Sequence, residues 1–173
     1  MNALDAADRA LVLDVAQQTG SSLDATAALY AQIAASGGEM GMSNRQVLDL
    51  VRTINQSIQI SGAFGQESEA VIRKLVQGLQ NGVLRREEID SVREQAPRLA
   101  WVLSDGLDVP MGALLALAEQ GRLTTDVVVS ALQNQRSAIE QEFALLPDTL
   151  GRVWQRVRND WQARQYCDQP WRL

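Results

Sequence analysis

The chain has 173 residues, 46% of them hydrophobic and 21% charged, with a formal charge of −5. That much apolar material suits one domain with a real core or two small helical lobes, and it excludes a disordered chain. Aromatics make up only 5%, which favours helices over a sandwich or barrel, and the acidic balance argues against duplex nucleic acid, whose binding rests on neutralised phosphates. The charge is uneven, because five Arg stand against Asp160 and Asp168 between Thr149 and Leu173.

Helical periodicity runs through nearly every segment and no strand alternation is evident. Leu4, Ala7, Leu11 and Val15 form one face of a first helix that Gly20 closes. Ser21 or Ser22 caps a second, with Leu23, Ala27, Tyr30 and Ile33 inward. The glycines of Ser36–Ser43 suggest a linker over residues 37–42. Ser43 and Gln46 make a capping box for a third helix. Its Val47, Leu50, Val51, Ile54 and Ile58 give the cleanest amphipathic pattern in the chain. The stretch Ser61–Gly65 ends it. Ile72, Leu75, Val76 and Leu79 mark a fourth, stopped at Asn81-Gly82.

The elements then shorten. Arg85–Glu94 is a charged helix with Ile89 and Val92 inside. Pro97 and Pro110 each open a short helix, since proline fits a first turn and cannot donate inside one. Gly106 and Gly121 close them. Thr124 caps a longer helix with Val128, Ala131, Leu132, Ile139 and Phe143 inside. Pro147 and Asp148 announce a last helix. The fold class is therefore all-α, a compact bundle of about eight or nine short to medium helices. The division expected is a helical pair at 1–36, a linker at 37–42, a helical domain at 43–165 and a frayed tail at 166–173.

Catalytic residues, metal ligands and cofactor sites are all expected to be none. Histidine is absent, which removes the usual general base and the commonest metal ligand. The single cysteine, Cys167, excludes an internal disulfide and a cysteine-type zinc site. The carboxylates of Gly65–Glu69 and Arg86–Asp90 read as solvated helix faces near N-termini, where acids are favoured. Met111–Leu132 has a helix-turn-helix shape, but Thr124, Thr125 and Asp126 stand where a DNA reader would offer Arg, Lys, Asn or Gln. That segment reads as packing, as do Leu99, Leu103, Leu115, Leu123, Val128 and Leu132. Trp101 falls at the edge of a buried stripe. The N-terminus lacks a signal-peptide pattern and no run reaches the roughly 20 apolar residues of a membrane span. A soluble chain made in the cytoplasm is expected.

Four words in fixed order carry a family resemblance: Gly82–Ile89 (GVLRREEI), Gln95–Ala100 (QAPRLA), Gly106–Leu132 (GLDVPMGALLALAEQGRLTTDVVVSAL) and Leu146–Trp154 (LPDTLGRVW). With these words the chain resembles the tape-measure domain of tailed-phage tail tape-measure proteins. A weaker likeness continues upstream through Ser57–Val71. The resemblance implies a structural role in tail-length determination and assembly. It implies tail-tube, tail-tip or tail-chaperone proteins as partners, with self-association as a further route. The implied places are the bacterial host cytoplasm during assembly and the virion tail. Family members continue well beyond Trp161, so the chain reads as an excised domain, a truncated prophage remnant or a short protein reusing the module.

The last helix offers the candidate contact surface. Leu150, Val153, Trp154, Val157 and Trp161 form an apolar stripe flanked by Arg152, Arg156 and Arg158. The plainer expectation packs this stripe on the bundle and leaves the arginines in water. The alternative docks it on a protein partner through Trp154, Arg156, Val157 and Trp161, since Trp and Arg are enriched in binding hot spots. A free-standing adaptor using this helix is the second functional reading.

Overall fold

A computed structural model describes residues 4–148 and 150–167. The described residues form nine helices: α1 (Ala6–Thr19), α2 (Leu23–Glu39), α3 (Asn44–Ile60), α4 (Gln66–Gln80), α5 (Arg86–Gln95), α6 (Pro97–Gly106), α7 (Met111–Glu119), α8 (Thr125–Ala144) and α9 (Leu150–Cys167). The fold is all-α, as the periodicity predicts. Of the expected frayed tail, Tyr166 and Cys167 end α9, and residues 168–173 lie outside the described residues.

Local signals account for most helix ends. Asp5 caps α1 by accepting from the Asp8 N–H at 2.7 Å. The Ser43–Gln46 box forms as expected. The Gln46 N–H reaches Ser43 Oγ at 3.3 Å, and the Ser43 N–H reaches Gln46 Oε1 at 2.9 Å. Pro97 begins α6, whose N-cap Ala96 supplies no side-chain bond. The missing acceptor comes from the end of α3, where Ser61 Oγ takes the Arg98 N–H at 2.9 Å.

Helix α3 is the axis of the bundle and packs against α1, α2, α4, α6 and α8. Its apolar face does what the pattern predicts, with Val47, Leu50, Val51, Ile54 and Ile58 all buried. Its polar face is buried too: Thr53, Asn55, Gln56, Ser57 and Gln59 lie inside. A buried polar group must find a partner. Thr53 and Ser57 donate back to the Asp49 and Thr53 carbonyls at 2.9 and 2.7 Å, and Asn55 Nδ2 donates to Thr26 Oγ1 at 3.1 Å.

Three expectations are corrected. In α1 the inward face is Val12, Val15, Ala16 and Thr19, while Ala7 and Leu11 are exposed. Apolar residues occur on several sides of this helix, so periodicity alone cannot choose among them. Residues 37–39 are not linker but the last turn of α2, where Gly37 packs against Met42 and Val47. The Glu88 carboxylate is not solvated: it is buried and accepts the Arg85 N–H at 2.9 Å, capping α5.

Gly106 does more than end α6. A Cβ built there would stand 2.7 Å from the Ala131 Cα, so α6 and α8 meet backbone to backbone at this point. Asn134 Nδ2 donates across the same crossing to the Gly106 carbonyl at 2.9 Å. One further tie is not helical. Val83 and Thr124 form an isolated antiparallel bridge, with Leu84 N–H to Leu123 O at 2.9 Å and Thr125 N–H to Gly82 O at 3.2 Å. It joins the α4–α5 connection to the α7–α8 connection.

Candidate partner-binding face on the last helix

Helix α9 lies against α1, and it lies there with its polar side inward. Its buried residues, among those described, are Arg152, Gln155 and Asn159. Asn159 is 0% exposed and Arg152 4%. The expected inward packing of the apolar stripe is therefore overturned. Trp154 is 70% exposed, Val157 54% and Trp161 61%, with Val153 also outward. The side chain of Leu150 lies outside the described residues.

The reason lies in what α9 meets. It crosses the C-terminal end of α1 and the turn into α2, where helix ends leave carbonyls and N–H groups without intrahelical partners. Burying such groups against Trp and Val would cost roughly 1–3 kcal/mol each. Amides and guanidinium groups satisfy them instead. Asn159 spans the turn: its Nδ2 donates to Ser21 O at 2.6 Å, and its Oδ1 accepts the Leu23 N–H at 3.1 Å. Gln155 Nε2 donates to the same Oδ1 at 3.0 Å and fixes the amide's orientation. Arg156 Nε donates to Gln17 O at 2.9 Å. Helix α1 has no basic residue in its own last turn, so Arg156 brings positive charge to the negative end of its dipole from another helix.

Gly20 admits this approach. Its φ of +67° belongs to the left-handed region, and a Cβ there would meet Arg152 Cβ and Cγ at 2.9 Å. The Arg152 guanidinium stacks 4.6 Å from the Phe143 ring centroid and donates to Pro147 O at 3.1 Å. Burial holds the Arg152 pKa below its ordinary value; Asp148 opposes that shift and Arg156 adds to it. Around the rim, Gln17 bonds Asp160, Gln162 Nε2 reaches Asp24 at 3.3 Å, and Arg158 pairs with Glu69 at 3.6 Å.

Of the four candidate contact residues, the structure gathers Trp154, Val157 and Trp161 on one outward face. Arg156 lies on the other side of the helix, half-buried between Gln17 and Asp148, the latter at 3.3 Å. The residues that sequence reading missed are Gln155 and Asn159. Their signal was present, since Arg152, Gln155, Arg156, Asn159 and Gln162 also recur at helical spacing. It was a polar stripe, and a polar stripe is ordinarily assigned to water.

The remaining candidates are structural. Leu99, Leu103, Leu123, Val128 and Leu132 are core, and Leu115 packs against it. Trp101 is exposed on α6. Val128 and Val129 are buried in the α7–α8 segment, and Asp126 faces solvent with its pKa lowered by the Thr124 hydroxyl. Among the described residues no three His, Cys, Asp or Glu side chains gather as metal ligands, and no single helix is long and apolar enough to cross a membrane.

Comparison with known families gives a match over nearly the whole chain. The family model described as tape measure protein covers residues 6–164. Searches of curated proteins and of solved structures gave no match. The matched stretch begins at the first residue of α1 and ends inside α9, so it takes in both the helical body and the outward apolar face. On that extent the chain belongs to the tape measure protein family, structural proteins of the phage tail.

Proposed function

We propose that this chain is an assembly module of a tail tape-measure protein, working by protein–protein contacts in tail-length determination and assembly. The contact surface is the outward face of α9, Trp154, Val157 and Trp161, with Arg156 holding the helix in place from behind. Its partners are tail-tube, tail-tip or tail-chaperone proteins. It acts in the bacterial host cytoplasm during assembly and in the virion tail. The supporting observation is the exposure of two tryptophans and two valines on one helix face of a family member. Large aromatic side chains are costly to leave in water and dominate interfaces where they gather. A fully helical chain of this length would span about 260 Å, and the bundle spans far less, so contacts rather than extension are the contribution proposed for this segment.

The test is affinity capture by the full chain of the tube, tip and chaperone proteins encoded beside it. The double variant Trp154→Ala/Trp161→Ala is expected to lose the captured partner while keeping its circular dichroism spectrum. Equal capture by both proteins would sink this assignment of the surface. The same exposed face also supports a free-standing helical adaptor. Sequencing the native locus on both sides of codon 173 separates the two. Neighbouring tail-tube and tail-tip genes favour the tail role, and their absence favours the adaptor.

A further inference from the structure

We infer that α9 is a latched arm. It is held on the α1–α2 turn by side-chain hydrogen bonds, and it leaves that turn as one unit while α1–α8 stay folded. Among the α9 residues whose side chains are described, 152–165, every buried one is polar and none joins the apolar core. Its buried amides and Arg156 dock on backbone atoms at helix ends, Gln17 O, Ser21 O and Leu23 N, and its ties to Gln17, Asp24 and Glu69 side chains lie at the rim. Water is a ready substitute for each of these when α9 departs. A helix docked by Leu or Val would instead uncover apolar surface on leaving. The connection is built to travel with the arm. Residues 146–148 are non-helical. Pro147 O accepts from Arg152, and Asp148 pairs with Arg152 at 3.9 Å and Arg156 at 3.3 Å. The contact is specific all the same, because Asn159 fits one carbonyl and one N–H of a single turn and Gly20 leaves space for Arg152. Release carries the Trp154 face away from the body on a short tether. The inference does not depend on that face having a partner.

Hydrogen–deuterium exchange on the full chain, read by peptide, tests it without any partner. In the wild type, α9 amides are expected to exchange well before those of α3, since local openings lie below the global one. Asn159→Ala removes two of the docking bonds and is expected to speed α9 exchange by roughly ten- to a hundredfold while α3 stays unchanged. Gly20→Ala, which crowds Arg152 and removes no hydrogen-bonding side chain, is expected to speed α9 exchange most, with a smaller effect at the α1–α2 turn because alanine is strained at a φ of +67°. Exchange of α9 and α3 at a common rate in the wild type would overturn the inference. So would α9 protection that neither substitution alters. If a variant fails to fold, the wild-type comparison of the two helices still decides.

Discussion

Replacing Gly106 with alanine reverses an ordinary expectation about helices. Alanine is favoured over glycine in a helix by about 1 kcal/mol, and Gly38 in α2 has open space around its missing Cβ. Gly38→Ala should therefore stabilise by up to about 1 kcal/mol. At Gly106 the new methyl carbon would lie 2.7 Å from both Cα and C of Ala131. The Ala131 carbonyl oxygen lies closer still, and ordinary contact begins near 3.4 Å, so α6 and α8 must separate by about an ångström. The obstacle is backbone, so no rotamer change can relieve it. Overpacking of this kind costs about 1–3 kcal/mol. Separation also strains the Asn134 bond to Gly106 O, worth about 1 kcal/mol. Set against the propensity gain of about 1 kcal/mol, the net effect is a loss of about 1–3 kcal/mol, or roughly 2–12 °C in Tm for a chain of this size. Urea unfolding followed by circular dichroism at 222 nm measures both variants side by side. If Gly106→Ala matches or exceeds the stability of Gly38→Ala, the close crossing of α6 and α8 is wrong.

Four further outcomes are expected. Trp154→Ala and Trp161→Ala should each change unfolding free energy by less than about 0.5 kcal/mol, as exposed positions do. Asn159→Leu should cost about 1–3 kcal/mol by stranding Ser21 O and the Leu23 N–H; denaturant melts showing the reverse order would mean that α9 docks by its other face. Ser61→Ala should cost about 1 kcal/mol in the same assay, because α6 loses an N-terminal acceptor supplied by α3. Tyr30, buried with its hydroxyl 3.2 Å from the Asp8 carboxylate, has its pKa raised from 10.0 to about 12 by burial first and by Asp8 second. Its contribution to stability is present in full below pH 10 and fades as pH rises from 10 toward 12, where the unfolded chain gives up the proton more readily. Melting temperatures between pH 9 and 12 should fall more steeply for the wild type than for Tyr30→Phe, and parallel slopes would refute the coupling.

The helices were legible wherever side-chain period and end signals agreed. Ser43 and Gln46, Pro97, and the buried faces of α3 and α4 follow from local chemistry that a sequence states directly. What escaped was decided by neighbours. Helix α3 shows solvent-like residues on one side, but five surrounding elements leave it little solvent, so Asn55 and Gln59 are buried by position rather than by type. Gly106 resembled a helix stop, and the Ala131 backbone that requires it comes from another helix. The last helix carried two stripes, one apolar and one polar, and hydrophobicity favours burying the first. The turn between α1 and α2 selected the second, because hydrogen-bonding demand at two helix ends outweighed apolar burial there. That demand is invisible until the two helices are side by side.

The small bridge between Val83 and Thr124 bears on how the chain tolerates change. It brings the two ends of the run from α5 through α7 together at one doorway, while α6 in the middle of that run packs on α3 and α8. The end of α4 and the start of α8 are tied together at that doorway, whatever the length of chain between. Because the entropy of closing a loop grows only slowly with its length, residues added at the exposed turn around Asp108, between α6 and α7, would lengthen the run while leaving the doorway and the frame around α3 where they stand.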